Sequence, residues 1–253
     1  MKKLLIVGDS LSMSRHREGV AYEQMYSTLL ACHLKNWLVI NGSVRANTSR
    51  QIISENYQEE YILPLLPDVV VLQVGVVDCL PRLMSKYERR ILGVLSRIQG
   101  FRRLARFYIS FKSKRRLYFT KKKQISFVGS SEFESNMMQF RNLMSRIGCK
   151  VIAINIPHPG PGLSERTFGV GEAVSRYNGI IDQVFSGSAH AVVDLYNMTK
   201  SNPSLLQDDG YHIRWECHEL LYKEIFENNL LRASMENKEQ MIPAAVSILP
   251  KLH

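Results

Sequence analysis

The sequence predicts an α/β fold built on a central parallel sheet of about five strands. Short runs rich in β-branched residues alternate with segments of helical periodicity, which is the pattern of βαβ units. Two runs, VVVLQV and VIAINI, are almost continuously apolar, as expected for strands that helices cover on both faces. The 253 residues suffice for one large core, so 1–253 is interpreted as a single domain.

Five short stretches are predicted as strands, and helices fill the intervals. The strands are placed at 3–7, 37–40, 68–74, 150–156 and 191–195. The clearest helix is predicted to follow Ser131 as N-cap, with Glu134 completing a capping box. Its apolar stripe, a predicted core face, consists of Phe133, Met137, Phe140, Met144 and Ile147. Further helices are expected after Gly171 and over 215–230.

The charge of the chain is concentrated in one segment. Residues 86–124 contain 14 Lys and Arg but one acidic residue, Glu88, whereas the rest of the chain holds 19 basic and 22 acidic residues. This segment lies where a βα unit needs only a short loop. It is therefore predicted to be a basic insertion, at about 86–124, of one or two amphipathic helices. A polar tail is expected at about 232–253.

Such a basic segment indicates an anionic partner. An anionic membrane surface would suit its interleaved aromatic residues. An acidic glycan is an alternative, as is a phosphate-bearing acyl donor such as a thioester of coenzyme A or of a carrier protein. A solvated loop is the remaining interpretation. No nucleic-acid recognition motif accompanies the charge, so no nucleic-acid partner is expected.

The sequence also bears on compartment and cofactors. No apolar run approaches the roughly 18 residues that span a bilayer, and the apolar part of MKKLLIVGDS is too short for a signal peptide. We therefore expect a cytoplasmic protein, peripheral at the inner membrane surface if the basic segment binds lipid. Widely spaced cysteines predict reduced thiols and no zinc site. No metal or cofactor is expected.

Polar residues follow the predicted strands, at the edge where α/β sheets carry their sites. The first strand leads into Asp9 and Ser10, and the motif DDGYH near the C-terminus places Asp209 three residues before His212. A serine hydroxyl needs a base to become a nucleophile, and the base needs an acceptor that fixes its tautomer. The three residues therefore predict a nucleophile, Ser10, a base, His212, and an orienting acid, Asp209.

Four blocks of the sequence resemble the SGNH/GDSL hydrolases. They are GDSLS, NGSVRANTS, QVGVVDC and DGYHIRWECHELLYKEI, and the resemblance covers nearly the whole chain apart from the insertion and the tail. It implies a flavodoxin-like three-layer α/β/α sandwich. It also implies acyl-ester chemistry through an acyl-enzyme on Ser10, with His212 as base and Asp209 as its acid.

The resemblance fails at part of the oxyanion hole. In that family the donors are the N–H of the serine, here Ser10, an N–H of a second-block glycine and the side chain of a third-block asparagine. Here Ala46 stands in the glycine place, and Val77 stands in the asparagine place without a donor. Losing one such donor costs about 100- to 1000-fold in rate. Three alternatives remain. In the first, Arg45, the favoured candidate, or Arg82 supplies the missing donor. In the second, turnover is slow, and in the third, the chemistry is no longer plain hydrolysis.

The remaining side chains at this edge are given roles by position. His218 is expected to pack or cap the last helix, and His16 with its neighbouring arginines is expected to be solvated. The residues expected to contact substrate are Asp9, Arg45, Asp78, Arg82 and His158.

The predicted function is removal or transfer of acyl groups on carbohydrate, such as a surface polysaccharide or its precursor. The carbohydrate assignment depends on a faint resemblance of GVVDCLPR and the second-block arginine to family variants from bacterial surface-polysaccharide synthesis. The alternative is a catalytically weak or inactive protein of the same fold that binds acidic glycan, a carrier protein or a membrane surface.

Overall fold

A computed structural model describes residues 1–187 and 189–236, the side chains of residues 86 and 236 excepted. Most of the tail predicted at 232–253 lies outside the described residues. Five parallel strands form one sheet in the order β2-β1-β3-β4-β5, which is the flavodoxin-like order. The predicted α/β fold with about five parallel strands is thereby confirmed. The strands are β1 Lys2–Gly8, β2 Trp37–Asn41, β3 Val69–Gln73, β4 Lys150–Ile154 and β5 His190–Val193.

Helices connect and cover the strands. In chain order they are α1 Tyr26–His33, α2 Ser49–Ile52, α3 Glu55–Tyr57, α4 Val76–Cys79, α5 Lys86–Leu95, α6 Arg102–Lys114, α7 Arg116–Lys122, α8 Ser130–Arg146, α9 Pro161–Arg166, α10 Val170–Phe185, α11 Leu195–Ser201, α12 Trp215–Glu227 and α13 Asn229–Glu236. No helix among the described residues has both the length and the apolar character that a bilayer span requires.

The sheet is buried on both faces because apolar side chains occupy successive positions of its central strands. In β1, Leu5 and Val7 pack into a core shared with α8 and α10, whereas Leu4 and Ile6 pack into a second core with α1 and α12. All four side chains are fully buried. Each such burial stabilises the fold by roughly 1.5–3 kcal/mol. The result is the predicted three-layer α/β/α sandwich.

The helix with the predicted core stripe is α8. The four stripe residues that lie within it are fully buried, which confirms the predicted core face. The expected N-cap is wrong, however. The helix begins two residues earlier than predicted, at Ser130, because the N–H of Phe133 bonds the carbonyl of Gly129 at 2.8 Å. Gly129 is therefore the N-cap, and no side chain caps the helix.

The basic insertion forms three helices, α5 to α7, and not one or two. The backbone leaves the helical region at Arg115 (φ −112°, ψ 32°), which separates α6 from α7. After this break Arg116 bonds the hydroxyl of Thr167 at 2.7 Å and the carbonyl of Pro81 at 2.8 Å. These bonds attach α7 to the body of the protein beside the loop that follows β4.

Candidate active site

Ser10 lies immediately after the first strand. β1 ends at Gly8, and the chain passes into a single turn of 3-10 helix. Asp9 caps this turn by accepting a hydrogen bond from the N–H of Leu11 at 2.8 Å. A Cβ at Gly8 would lie 2.4 Å from Ser12 Oγ, so the turn requires glycine there. Ser10 thus lies at the carboxyl edge of the sheet, where the strand order reverses between β1 and β3.

The two serines of this turn have different surroundings. Ser12 is fully buried, donates to Gln73 Oε1 at 2.6 Å and accepts a hydrogen bond from the Tyr26 hydroxyl at 2.8 Å. Ser10 is half-buried, and its hydroxyl points toward an imidazole. Ser12 therefore holds the turn in place, and Ser10 is left available for chemistry.

Ser10, His212 and Asp209 form a continuous chain of hydrogen bonds. Ser10 Oγ lies 2.9 Å from His212 Nε2, and His212 Nδ1 lies 2.5 Å from Asp209 Oδ2. Because Nδ1 faces a carboxylate, it carries the proton, and Nε2 presents a lone pair to the serine. The structure brings together the three residues predicted as nucleophile, base and acid, although 202 positions separate Ser10 from His212.

The carboxylate of Asp209 is fixed from several sides. Its Oδ1 accepts hydrogen bonds from the N–H groups of Tyr211 and His212, at 3.2 and 3.0 Å. Partial burial raises its pKa, but the hydrogen bonds from His212 and Tyr211 outweigh burial and lower the pKa to about 2. Asp209 is therefore ionised at neutral pH, as an orienting acid must be. The Tyr211 ring lies against the imidazole, with centroids 4.2 Å apart.

Arg15 is a member of this site that the sequence did not reveal. Its Nη1 lies 3.0 Å from His212 Nε2, so the guanidinium and the Ser10 hydroxyl share one acceptor. A two-way backbone bridge to Val20 and an ion pair with Glu18 at 3.0 Å hold Arg15 in place. The expectation that the arginines of this loop are solvated is wrong for Arg15, because the loop folds back over the imidazole.

The loop after β2 lies beside the end of β1. The N–H of Val44 and the side-chain amide of Asn47 both bond the carbonyl of Gly8, at 3.1 and 3.2 Å. Ala46, between them, has the left-handed φ of 57° that usually calls for glycine. Its backbone therefore has a conformation that glycine adopts without strain. Arg45, the favoured replacement donor, is exposed to solvent on the same loop.

The other predicted donor, Arg82, is directed at the segment that lacks the asparagine. Its Nη2 donates to the carbonyl of Val77 at 2.6 Å, and its guanidinium lies 3.9 Å from the centroid of the Phe127 ring. Burial lowers its pKa, because it removes the charged guanidinium from water, and the nearby charge of Arg89 lowers it further. The Val77 side chain is itself buried within α4. Arg82 is therefore placed to support the backbone of Val77.

Two predicted substrate contacts are contradicted by burial. Asp9 and Asp78 are both 0% exposed, so neither carboxylate can reach a substrate. Asp78 instead accepts hydrogen bonds from the N–H and hydroxyl of Ser49, at 2.9 and 2.8 Å, and joins the loops after β2 and β3. Burial raises the pKa of Asp9 to about 7 and that of Asp78 to about 6.

His158 and His218 have contacts outside the hydrogen-bonded triad. The N–H of His158 donates a hydrogen bond to Thr199 Oγ1 at 2.9 Å, and its ring packs edge-on against the ring of Tyr196. His158 therefore contacts α11. Its role in substrate binding stays a prediction. His218 is buried against Tyr26, with ring centroids 5.7 Å apart, which confirms its predicted packing role.

Comparison with solved structures identifies the class of fold. The chain is similar to a lipase/acylhydrolase from Enterococcus faecalis (TM-score 0.61, 19% identity, 92% of this chain and 97% of that one). It is also similar to a catalytic mutant of an acetylxylan esterase from Geobacillus stearothermophilus (TM-score 0.56, 17% identity, 89% and 92%). A third similar structure is a psychrotrophic esterase from Pseudoalteromonas sp. (TM-score 0.52, 15% identity, 94% and 100%).

These likenesses confirm the SGNH/GDSL resemblance at the level of the fold. The chain therefore has the three-layer fold of the SGNH hydrolases. By sequence, no family model and no curated protein matches it.

Proposed function

We propose that this protein is a carboxylic ester hydrolase whose nucleophile is Ser10. The observation that carries the proposal is the continuous hydrogen-bonded chain from Ser10 Oγ through His212 to Asp209. Nε2 accepts the serine proton as Oγ attacks the acyl carbon, and the ionised Asp209 stabilises the imidazolium that results. Nε2 then returns the proton to the leaving alcohol. Water, or a second hydroxyl acceptor, repeats the sequence on the acyl-enzyme.

The negative charge of the tetrahedral intermediate needs donors beside Ser10. The proposed donors are the N–H of Ser10 and the N–H of Ala46, whose loop is tied to the end of β1 through Gly8. At the third position Val77 contributes no donor. We therefore expect slow hydrolysis of simple esters unless Arg45 moves in to supply a third hydrogen bond.

Arg15 must move during this reaction. While Nε2 has a free lone pair, the guanidinium donates to it, but a protonated Nε2 is itself a donor and can no longer accept that bond. Since Nε2 delivers its proton to the leaving group, Arg15 lies on the leaving-group side of the site. The proposed role of Arg15 is to bind a polar or anionic group of the alcohol part of the substrate.

The proposed substrate is an acylated carbohydrate. The acetylxylan esterase among the similar structures acts on one, and an arginine on the leaving-group side suits a sugar carrying a carboxylate or phosphate. Removal of the acyl group and its transfer to another hydroxyl remain the two forms of the proposal. The rival proposal, a binder without activity, is less economical because binding alone does not require the Ser10–His212–Asp209 arrangement.

Turnover of acetylated sugars tests the proposal. The wild type should release acetate, and added sugar acceptor should increase total turnover if transfer occurs. Ser10→Ala should abolish release, whereas Ser14→Ala, four residues on in the same loop, should retain it. Acetate release by Ser10→Ala at the wild-type rate would refute the assignment of the nucleophile.

A further inference from the structure

The first two helices of the insertion expose their apolar faces. In α5, Tyr87, Ile91 and Val94 follow one another at helical spacing and are 80%, 59% and 56% exposed. In α6, Leu104 and Phe107 are 61% and 69% exposed. Two adjoining helices of this insertion therefore present large apolar side chains to solvent.

The side of α6 that faces the rest of the protein buries no large apolar side chain. Its buried residues are Ala105 and Lys112. The Lys112 ammonium bonds Glu88 of α5 at 2.6 Å, which ties the two helices together. The arrangement thus uses a polar contact to join α5 to α6 and leaves the apolar side chains available for a partner.

The same helices carry unneutralised positive charge. Glu88 is the one acidic residue of the segment, and it is ion-paired with Lys112. None of the ion pairs among the described residues involves the exposed basic side chains of the two helices and the turns beside them. Those side chains are Arg89, Arg90, Arg97, Arg102, Arg103, Arg106, Lys114 and Arg115.

We propose that α5 and α6 form a docking face for an anionic lipid surface. A bilayer rich in anionic lipid satisfies both properties of the face, because its headgroups match the arginines and its acyl boundary accepts the apolar side chains. A polyanionic glycan would match the charge but leave the apolar faces uncovered. A second copy of the chain would bring two strongly basic segments together against their repulsion.

Docking in this way would hold the candidate active site near the lipid. The third helix, α7, bonds Thr167 through Arg116, and the neighbouring Arg166 donates to the carbonyl of Asp209 at 2.8 Å. The insertion is therefore attached beside the triad. The docking proposal itself does not depend on the proposed activity, and Ser10→Ala should bind lipid as the wild type does.

Flotation of the full chain with vesicles tests the proposal. Vesicles of phosphatidylcholine with 30% phosphatidylserine should bind the protein at least tenfold better than pure phosphatidylcholine, and 0.5 M salt should weaken the binding. Arg103→Gln with Arg106→Gln should lower partitioning about 25-fold, since each charge contributes about fivefold. Ile91→Ser with Phe107→Ser should lower it at least tenfold, and all variants should keep the wild-type circular dichroism spectrum.

Matched controls carry the same changes elsewhere on the surface. Arg17→Gln with Arg146→Gln, and Met138→Ser with Leu220→Ser, should partition as the wild type does. Equal binding to neutral vesicles, or binding that ignores both helix variants, would overturn the proposal. So would a dimer in light scattering that the Ile91 and Phe107 changes dissociate, or binding to an acidic polysaccharide but to no vesicle.

Discussion

The sheet edge that carries the triad and the basic insertion use similar residues in opposite ways. In the strand that leads to this edge, apolar side chains such as Leu5 and Val7 are fully buried, and at the edge itself charged groups such as Asp209 are hydrogen-bonded. In the insertion, Phe107 is 69% exposed, and none of the ion pairs among the described residues neutralises Arg103. The hydrogen bonds of the triad are formed within the chain, whereas the proposed docking face would gain its contacts only from a partner.

The largest effect should follow from breaking the preorganised site. His212→Ala removes the base and should lower kcat for an acetate ester by about 10⁴-fold. Asp209→Asn keeps the shape but loses the ionised acceptor for Nδ1, so it should lower kcat by about 10³- to 10⁴-fold. Steady-state kinetics with circular dichroism measure both. A folded His212→Ala that keeps a tenth of the wild-type kcat would exclude the triad.

Within the insertion, the anchoring residue should matter more for stability than the residues of the proposed docking face. Arg116→Ala removes two hydrogen bonds to the body and should lower the free energy of unfolding by about 2 kcal/mol. Arg103→Ala, on an exposed part of α6, should change it by less than about 0.5 kcal/mol. Urea unfolding compares them, and equal losses would show that the distinction between anchor and face is wrong.

The buried carboxyl of Asp9 should make stability depend on pH. Its pKa is raised from 3.8 to about 7 in the fold, so folding favours the protonated form, and stability falls as pH rises from about 4 to about 7. Asp9→Asn should reduce that fall by on the order of 2 kcal/mol. Asp78, raised to about 6, should preserve part of it.

The control for this pH effect is Asp208→Asn, because the Asp208 side chain is 98% exposed. Thermal unfolding of the three proteins at pH 4.5 and 7.5 gives the comparison. Identical pH dependence of Asp9→Asn and wild type would show that Asp9 is not protonated in the folded protein.

Restoring the missing oxyanion donor at position 77 should have a smaller effect on kcat. Val77→Asn should raise kcat about 10-fold, because Arg82 donates to the Val77 carbonyl and the proposed role of Arg15 lies on the leaving-group side, so neither supplies the third hydrogen bond. Val77→Thr serves as the control of similar size. An unchanged kcat in Val77→Asn, with a large loss in Arg45→Ala, would assign the third donor to Arg45.

The smallest effect concerns Arg15 and should change sign with the substrate. For a neutral nitrophenyl acetate, Arg15→Ala should raise kcat about 3- to 10-fold, because Nε2 is no longer shared with a cation. For an acetylated sugar carrying a carboxylate, the same change should raise KM about tenfold. Arg17→Ala, two residues on and exposed, is the control. Equal losses for both substrates would make Arg15 a structural residue only.

The parts of the molecule that local sequence determines were predictable. β1, β3 and β4 are largely apolar runs, and Asp209 and His212 are three residues apart, a spacing that allows their contact. The position of Ser10 at a strand end, together with the family resemblance, predicted its meeting with His212 across 202 positions. Contacts that depend on how a loop folds were not predictable. Arg15 reaches an imidazole 197 positions away only because its loop folds back through Val20.

The sequence did not indicate which acidic residues are buried. An aspartate at the end of a strand is typical of a functional site. Asp9 and Asp78 are instead fully buried, and their hydrogen bonds hold loops together. The number of helices in the insertion was equally hidden. The break at Arg115 places Arg116 against Thr167 and Pro81, and no glycine or proline marks it.

Labelling with a fluorophosphonate tests the central claim most directly, because the reagent reacts only with a serine that a neighbouring base activates. The wild type should gain the mass of one probe, and peptide mapping should place it on Ser10. Labelling should be lost in Ser10→Ala and His212→Ala and retained in Ser14→Ala. A wild-type protein that is folded but takes up no probe, or a probe found on another serine, would contradict the account.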